Sequence, residues 1–337
     1  MKTINVAING FGRIGRQALR IIEDNYPELN VVLINDLTDG PTLAHLFEFD
    51  SSYGHYDGKV EFTNGKLITK NDEILLTAEK DPTKLPHKEL KVDIVFECTG
   101  RFTKRDEAAL HLKAGAKKVI ISAPCKDAAD ATFCIGVNHE SYDPETMHVV
   151  SNASCTTNCL APMVKVLNDA FGIEKGLMTT IHSYTNDQDL LDLPHKDLRR
   201  ARAAAINIVP TSTGAAKAIG LVIPELEGKL NGIAIRVPTP TGSITDLSIV
   251  TKKNTTVEEV NTAFDKAAAG PMKGVLGIEY RPLVLKDFVG DARSCIVDAP
   301  LTQVIGGNLV KVFGWYDNEW AYSNRIVELA RLIGSKM

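Results

Sequence analysis

The sequence predicts two domains in series, a doubly wound α/β domain on a parallel sheet and then an α+β domain with a mixed, mostly antiparallel sheet. Three observations carry this. At 337 residues the chain exceeds one core at roughly 150 residues per domain. Over its first half, apolar runs suited to buried parallel strands alternate with helix-period segments. From about residue 175 the strand-like segments instead alternate apolar and polar residues, as half-buried strands do.

In order, Thr3 to Asn9 reads as a buried strand ended by Gly10, and Arg13 to Asp24 carries Ile14, Ala18, Leu19, Ile21 and Ile22 at helical spacing. Asn30 to Asn35 is a second buried strand, completing a βαβ unit. Residues 58–78 break the pattern: Asn64-Gly65 between alternating segments predicts a hairpin, an antiparallel insertion. Asp93 to Glu97, a helix over 104–114 and Lys118 to Ser122 resume the βα alternation. Strands are then expected at 175–184, 229–237, 243–251 and 308–315, with helices at 214–226, 256–269 and 319–336. On the last helix Ile326, Leu329, Ala330 and Leu332 form a core stripe that packs back on the first domain.

Composition narrows the function. Hydrophobic residues are 44% and charged residues 24%, an ordinary globular balance. With 38 Lys and Arg against 42 Asp and Glu the net charge is −4, so nucleic acid is not expected as the primary partner. No apolar run reaches the ~18 residues of a membrane span, so no membrane partner is expected. Met1 to Val6 enters a strand directly with no signal-peptide pattern, and a cytoplasmic location is expected. Six cysteines, at 98, 125, 134, 155, 159 and 295, are too dilute for a disulfide scaffold and are read as reduced. Cys155 and Cys159 match no common zinc spacing, and no metal site is expected.

Gly10-Phe11-Gly12-Arg13-Ile14-Gly15 is a G-x-G-x-x-G motif between a strand and a helix. Gly10 allows the tight turn, Gly12 a close backbone approach by pyrophosphate, and Gly15 close helix packing, with the anion on the helix N-terminus. Asp36, 21 residues past Gly15, ends the second strand. An acidic group there accepts from ribose hydroxyls and repels a 2′-phosphate, which points to NAD over NADP. The alternative is that Asp36, a loop former beside Asn35 and Asp39, merely caps a turn. In this context the first domain reads as a Rossmann dinucleotide-binding domain.

Ser151 to Leu160 follows a strand-like segment and opens an apolar helical run, placing Cys155 in a first helical turn. Pro162 inside that run implies a kink or a later start. A helix N-terminus favours a thiolate by about 0.3–2 kcal/mol. Lowering a thiol from 8.5 to about 6 needs ~3.4 kcal/mol, so the dipole falls short and an imidazole is the natural supplement. Among eight histidines, His45, His55, His87, His111, His139 and His148 lie in polar or loop contexts and are expected on the surface; His195 lies in a basic loop. His182 ends the strand that follows the Cys155 helix. On spacing alone a lone strand histidine is more often a structural one, and the alternative for Cys155 is a small buried residue that merely fills the core.

The chain resembles phosphorylating glyceraldehyde-3-phosphate dehydrogenases of the bacterial, NAD-dependent type over essentially its whole length. The resemblance rests on Ile8 to Arg16, Ser151 to Cys159, His182 to Thr185, Thr211 to Ala218, Arg236 to Thr239 and Trp315 to Glu319. It implies oxidation of glyceraldehyde 3-phosphate with NAD and inorganic phosphate to 1,3-bisphosphoglycerate, through a Cys155 thiohemiacetal and thioester with His182 as base. It further implies Thr185 and Arg236 on the substrate phosphate, and Ser154, Thr156, Arg200, Thr213 and Gly214 around inorganic phosphate. NAD would be held by Gly10, Gly12, Arg13, Ile14, Gly15, Asp36, Lys80, Ser122 and Asn318. The expected boundaries are 1–154 for the NAD-binding domain, completed by the helix over 319–337, and 155–318 for the catalytic domain, in a homotetramer. Lys80 stands where the family often has Arg, Asp189 where close relatives are usually basic, and Ala321 where Gly is common. Erythrose-4-phosphate dehydrogenase, with water as the deacylating nucleophile, is the nearest alternative; a non-catalytic NAD-dependent redox sensor or RNA-binding protein is the other.

Overall fold

The computed structural model describes residues 3–337, so Met1 and Lys2 of the expected first domain lie outside the described residues. The chain divides into two compact units, Met1–Phe133 with His139–Ala153 and Ser323–Met337, and Cys134–Asn138 with Ser154–Tyr322.

In the first unit β1 (Ile4–Asn9), α1 (Arg13–Asn25) and β2 (Leu29–Asn35) form the expected βαβ unit. Periodicity did not reveal α2 (Gly40–Glu48), which starts where the Asp39 carboxylate accepts the Thr42 N–H at 3.0 Å. A small ribbon follows, β3 (Phe49–Asp50) against β4 (Gly54–His55). The hairpin is β5 (Glu61–Thr63) and β6 (Lys66–Ile68), with positive φ at both Asn64 and Gly65, as its turn requires. β7 (Glu73–Thr77) and β8 (Ile94–Glu97) come next. The predicted helix over 104–114 is instead two short pieces, α3 (Arg105–Ala108) and α4 (Leu110–Lys113). The break falls at Ala109, whose carbonyl accepts the Leu112 N–H in a 3₁₀-type bond. β9 (Lys118–Ile121), β10 (Ala131–Thr132) and β11 (Val149–Ser151) complete the sheet.

Its strand order is β10-β11-β9-β8-β1-β2-β7-β6-β5. Every ladder from β10 to β7 is parallel, and only the β6 and β5 pairings are antiparallel. β1 stands between β2 and β8, so connections leave it in opposite directions and its carboxyl end opens a crevice. β8 and β9 are buried at every position, which is why they read as continuous apolar runs.

In the second unit α5 (Cys155–Phe171) leads into the long β12 (Ile173–Ser183). The helix starts at Cys155 and contains Pro162, so the later start allowed by that proline does not occur. β13 (Val209–Ser212), α6 (Ala215–Val222), β14 (Leu230–Val237), β15 (Ser243–Thr251) and α7 (Val257–Ala269) follow. α6 is shorter than the predicted 214–226 helix, because Pro224 opens a separate 3₁₀ turn. Then come β16 (Leu276–Glu279), β17 (Cys295–Asp298), β18 (Gln303–Ile305), β19 (Leu309–Tyr316) and α8 (Trp320–Ser335). The sheet runs β13-β14-β12-β15-β19-β17-β16, with β18 on β19. Only β12–β14 and β16–β17 are parallel, giving the mixed, mostly antiparallel sheet.

β15 and β19 alternate buried and half-buried residues, and α5 lies on their buried face. A Cβ on Gly314 would stand 2.6 Å from Cys295 Sγ, 2.7 Å from Met163 Sδ and 3.2 Å from Cys159 Sγ, so Gly314 lets the helix lie flat and Cys159 is a packing residue. On α8, Ile326, Leu329 and Ala330 are fully buried as expected, but Leu332 is half-buried and Ile333 takes its place. Gly334 closes that end of the first unit, where a Cβ would meet Ile4 Cδ1 at 2.3 Å. Among the described residues no helix is long and apolar enough to cross a membrane.

Candidate active site

Cys155 is the first residue of α5, and Ser154 caps the helix by accepting the Thr157 N–H at 3.0 Å. Just before it Ala153 has φ 54°, a left-handed turn that costs a non-glycine residue about 1–2 kcal/mol. Sequence reading missed this strain. His182 stands near the carboxyl end of β12, an interior strand of the sheet, and Cys155 Sγ lies 3.4 Å from its Nε2. The pairing that spacing left open is therefore a contact.

Register supplies the third member. His182 sits opposite Arg236 across the parallel β12–β14 ladder and opposite Ser243 across β12–β15. Arg236 Nη1 is 2.9 Å from the Ser183 carbonyl and 3.0 Å from His182 Nδ1, while Nδ1 is 2.7 Å from the same carbonyl. A carbonyl cannot donate, so the shortest of these contacts bonds only if Nδ1 carries the proton. Both Nδ1 and Arg236 then donate to Ser183, and Nε2 is left as an acceptor toward sulfur. The His182 ring meets Tyr316 edge-on with centroids 6.0 Å apart. The buried Tyr316 hydroxyl ties Thr156 Oγ1 (3.0 Å) to Thr180 Oγ1 (2.8 Å), bracing the start of α5 against β12.

Burial pushes the Cys155 thiol up, while the Arg236 charge and the Thr156 hydroxyl and N–H pull it down. Burial, followed by the Arg236 and Arg200 charges, pushes His182 down to about 3 against the favourable Ser183 bond. Each charge alone is penalised in this dry site. A proton passing from Sγ to Nε2 creates both charges together, and their attraction offsets part of the cost. The extra pull on the thiol, which the sequence reading assigned to an imidazole, thus comes also from Arg236.

Arg200 is held by Thr211 Oγ1 at 2.9 Å, by the Ser212 carbonyl at 3.2 Å and by Asp187. Its charge is felt by both His182 and Arg236. Arg236 Nε is buried without a hydrogen-bond partner, an orphaned donor of the kind an oxyanion satisfies. Thr213 and Gly214 stand at the start of α6, where Thr213 Oγ1 accepts the Ala215 N–H at 3.2 Å. Thr185 lies on the turn after β12, its carbonyl accepting the Gln188 N–H. Ser154 and Thr156 share the first turn with Cys155, but their hydroxyls bond Thr157 and Tyr316. Asn318 Oδ1 accepts the Gly242 N–H (2.8 Å) and the Ser243 hydroxyl (3.2 Å), which orients its amide.

In the first unit a cleft of about 320 Å³ opens at the carboxyl end of β1, at the reversal of strand order. Of the expected cofactor residues Gly10, Gly12, Asp36 and Lys80 line it; Asn9, Asn35, Thr99, Arg101 and Phe102 were missed. Gly10 has φ 93°, and a Cβ there would stand 2.7 Å from the Cys98 carbonyl carbon. A Cβ on Gly15 would be 2.3 Å from the Gly10 oxygen, whereas one on Gly12 would meet nothing within 4 Å. Gly10 and Gly15 therefore make the turn possible, and Gly12 leaves its outer side open. No side chain caps α1. An open glycine before an uncapped helix N-terminus fits a pyrophosphate. Asp36 caps the turn, Oδ2 accepting the Phe11 N–H at 2.8 Å and Oδ1 the Thr38 N–H at 3.0 Å, and it also lines the cleft. Arg13 places its guanidinium on Asp50, with Nη1 2.5 Å from Oδ2, and Ile14 is half-buried beside it. The Ser122 N–H donates to the Glu97 carbonyl.

Two expectations about histidine fail. His87 and His111 are fully buried, with His87 Nε2 2.9 Å from His111 Nδ1 and His111 Nε2 3.1 Å from Glu97 Oε2. Three of their four ring nitrogens are paired inside the first unit by this network, which periodicity does not register. Among the described residues no group of three or more His, Cys, Asp or Glu side chains could hold a metal ion.

Comparison with known proteins identifies the family. The family model for the glyceraldehyde 3-phosphate dehydrogenase NAD binding domain matches residues 4–105, and that for the C-terminal domain matches 154–318. Glyceraldehyde-3-phosphate dehydrogenase of Geobacillus stearothermophilus is 58% identical over 333 residues, 99% of each chain. Glyceraldehyde-3-phosphate dehydrogenase 1 of Bacillus cereus is 56% identical over 98% of each chain. Glyceraldehyde-3-phosphate dehydrogenase 2 of Streptomyces arenae is 55% identical over 99% of this chain and 100% of its own. With both domains matched in order and likeness running the full length, the chain belongs to the glyceraldehyde-3-phosphate dehydrogenase family, the NAD-dependent oxidoreductases of glycolysis.

Proposed function

We propose that Cys155 is the nucleophile and His182 the base of this reaction, and the 3.4 Å contact between Sγ and Nε2 carries the reading. As the thiol attacks the aldehyde carbon of glyceraldehyde 3-phosphate, Nε2 accepts its proton. The imidazolium returns that proton to the thiohemiacetal alkoxide, which becomes a hydroxyl and leaves Nε2 free to accept again, while the N–H groups of the α5 first turn stabilise the charge as it develops. NAD, when bound, supplies the hydride acceptor. His182 takes the hydroxyl proton as the thiohemiacetal is oxidised to the thioester. Inorganic phosphate displaces sulfur to give the acyl phosphate, the thioester having kept its acyl-transfer potential.

Arg236 and Thr185 hold the substrate phosphate; Arg200, Thr213, Gly214 and the Ser154–Thr156 turn form the inorganic-phosphate side. Two guanidinium forks suit two dianions. Gly10, Gly12, Arg13, Ile14 and Gly15 cradle the pyrophosphate of NAD and Asp36 its ribose, with Lys80 and Ser122 on other parts and Asn318 on the nicotinamide carboxamide. The working boundaries are 1–154 with 319–337 for NAD binding and 155–318 for catalysis.

The protein acts in the cytoplasm as a homotetramer. Segment 190–208 supports self-association by exposing Leu190, Leu191, Leu193, Leu198, Ile206 and Ile208. Beside it the side-chain amide of Gln188 and Asp189 Oδ2 are buried without partners. Sedimentation measures the assembly. NADH formation with substrate, NAD and phosphate, each omitted in turn, tests the reaction; turnover independent of phosphate would overturn the phosphorylating assignment.

A further inference from the structure

Under the cleft of the first unit a row of buried polar side chains crosses four strand ends. Glu97, at the end of β8, is 2% exposed and takes Asn9 Nδ2 at 2.6 Å, His111 Nε2 at 3.1 Å, the Thr99 N–H at 2.9 Å and the Thr99 hydroxyl. A carboxylate only accepts, so His111 presents Nε2–H to it and its Nδ1 accepts from His87 Nε2, 2.9 Å away. Asn9 Nδ2 also stands 3.3 Å from His111 Nε2, two donors sharing one carboxylate oxygen. The row then continues outward: Asn9 Oδ1 accepts Asn35 Nδ2 at 2.8 Å, and Asn35 Oδ1 accepts the Thr77 hydroxyl and the Glu79 N–H, both at 2.8 Å.

The orientation of the Asn9 amide is dictated by the acceptor-only carboxylate, whereas the Asn35 amide is also held from its outer side, where Nδ2 donates to the Glu79 carbonyl at 2.9 Å and Oδ1 accepts the Glu79 N–H. At the inner end His87 Nδ1 is buried without a partner, so the row stops there. Burial, with His111 adding to it, pushes His87 down to about 4, which leaves it a neutral donor at working pH. Asn9, Asn35, Glu79 and Thr99 all line the cleft, as does Phe102, whose ring meets His111 edge-on at 6.4 Å. The residues the nucleotide would touch are thus set by residues it does not touch.

We propose that Glu97 and His111 are positioning residues for the nucleotide cofactor: they lock the Asn9 amide and the Thr99 turn into the one orientation that the dinucleotide reads. This rests on the reading that the cleft beside Asp36 takes NAD. The role is preorganisation, so losing it weakens the nucleotide and leaves the Cys155 chemistry alone once the cofactor is saturating.

The test measures NAD dissociation constants by calorimetry, and kcat at saturating NAD, on the full chain for Glu97→Gln, His111→Leu, His111→Gln and Asp36→Ala. Gln at 97 sets an amide donor against existing donors; Leu at 111 removes the donor to Glu97, and Gln restores one. The expected result is roughly tenfold weaker NAD binding for Glu97→Gln and His111→Leu, with kcat within about twofold. His111→Gln should bind within about threefold of the parent. If Glu97→Gln fails to fold, the His111 pair, compared at matched thermal stability, decides alone. Unchanged affinity in Glu97→Gln and His111→Leu with weakened Asp36→Ala overturns the positioning role and keeps the cleft. Equal damage from Leu and Gln at 111 also overturns it. Unchanged affinity in all four overturns the cleft reading too, and weakening at 97 and 111 but not at 36 removes only the ribose role of Asp36.

Discussion

His182 Nδ1 donates to the carbonyl oxygen of Ser183 at 2.7 Å, and this bond turns Nε2, as an acceptor, toward Cys155. A residue next in sequence therefore sets the tautomer of the base, while the register of β12 against β14 brings Arg236 to the same carbonyl. His182→Ala removes the proton acceptor without emptying the phosphate sites. Its kcat should fall by about 10²–10⁴-fold with a much smaller change in the substrate KM, read by steady-state kinetics; a loss confined to KM contradicts the base role.

The glycines of the cradle separate into two kinds. A Cβ on Gly15 drives into the Gly10 oxygen at 2.3 Å, and that backbone cannot yield. Gly15→Ala should cost about 2–4 kcal/mol of stability in urea unfolding. Gly12 has open space around its missing Cβ, so Gly12→Ala should fold within about 1 kcal/mol of the parent. It should nevertheless lose NAD affinity, because the methyl stands where the pyrophosphate approaches. Equal stabilities for the two variants contradict this division.

Asp36 both borders the cleft and accepts the Phe11 N–H at 2.8 Å. Asp36→Asn removes the charge while keeping the shape and one carbonyl acceptor. The NADP to NAD ratio of kcat/KM should rise about five- to tenfold, as repulsion of a 2′-phosphate is relieved. An unchanged ratio would assign Asp36 to the turn alone.

Glu23 is pushed up to about 7, first by burial and then by the Asp72 and Asp24 charges, against the hydrogen bond from Thr69 and the Lys70 charge. Tyr56 and Thr69 both donate to it. A carboxyl with a folded pKa above its unfolded one binds more protons when folded, so its contribution is most favourable below about 4.5 and is lost as pH rises through about 7. Relative to the parent, Glu23→Gln should gain about 1–3 kcal/mol between pH 5 and pH 8. Urea midpoints at the two pH values check this, and a pH-independent difference contradicts it.

Much of the site was legible because local rules governed it. The glycine turn, Asp36 at the end of β2 and Cys155 at the start of α5 each follow from spacing and capping residues within one stretch of chain. What escaped depends on pairing across the sheet. Nothing near Arg236 marks it as the neighbour of His182; the parallel β12–β14 register does that. His87 and His111 read as surface residues from their polar or loop contexts, but Glu97, brought to His111 by the parallel sheet, takes its Nε2–H inside the core, and His87 donates to the other nitrogen of the same ring. β16 and β17, four residues each, are too short for alternation to declare them.

Rapid mixing of the enzyme with NAD and glyceraldehyde 3-phosphate, with phosphate withheld, tests the thioester most directly. A burst of about one NADH per active site is expected as the acyl-enzyme accumulates, then a near stop that added phosphate releases, with no burst from Cys155→Ser. Steady NADH production at the same rate with and without phosphate, or an unaltered burst in Cys155→Ser, would contradict it.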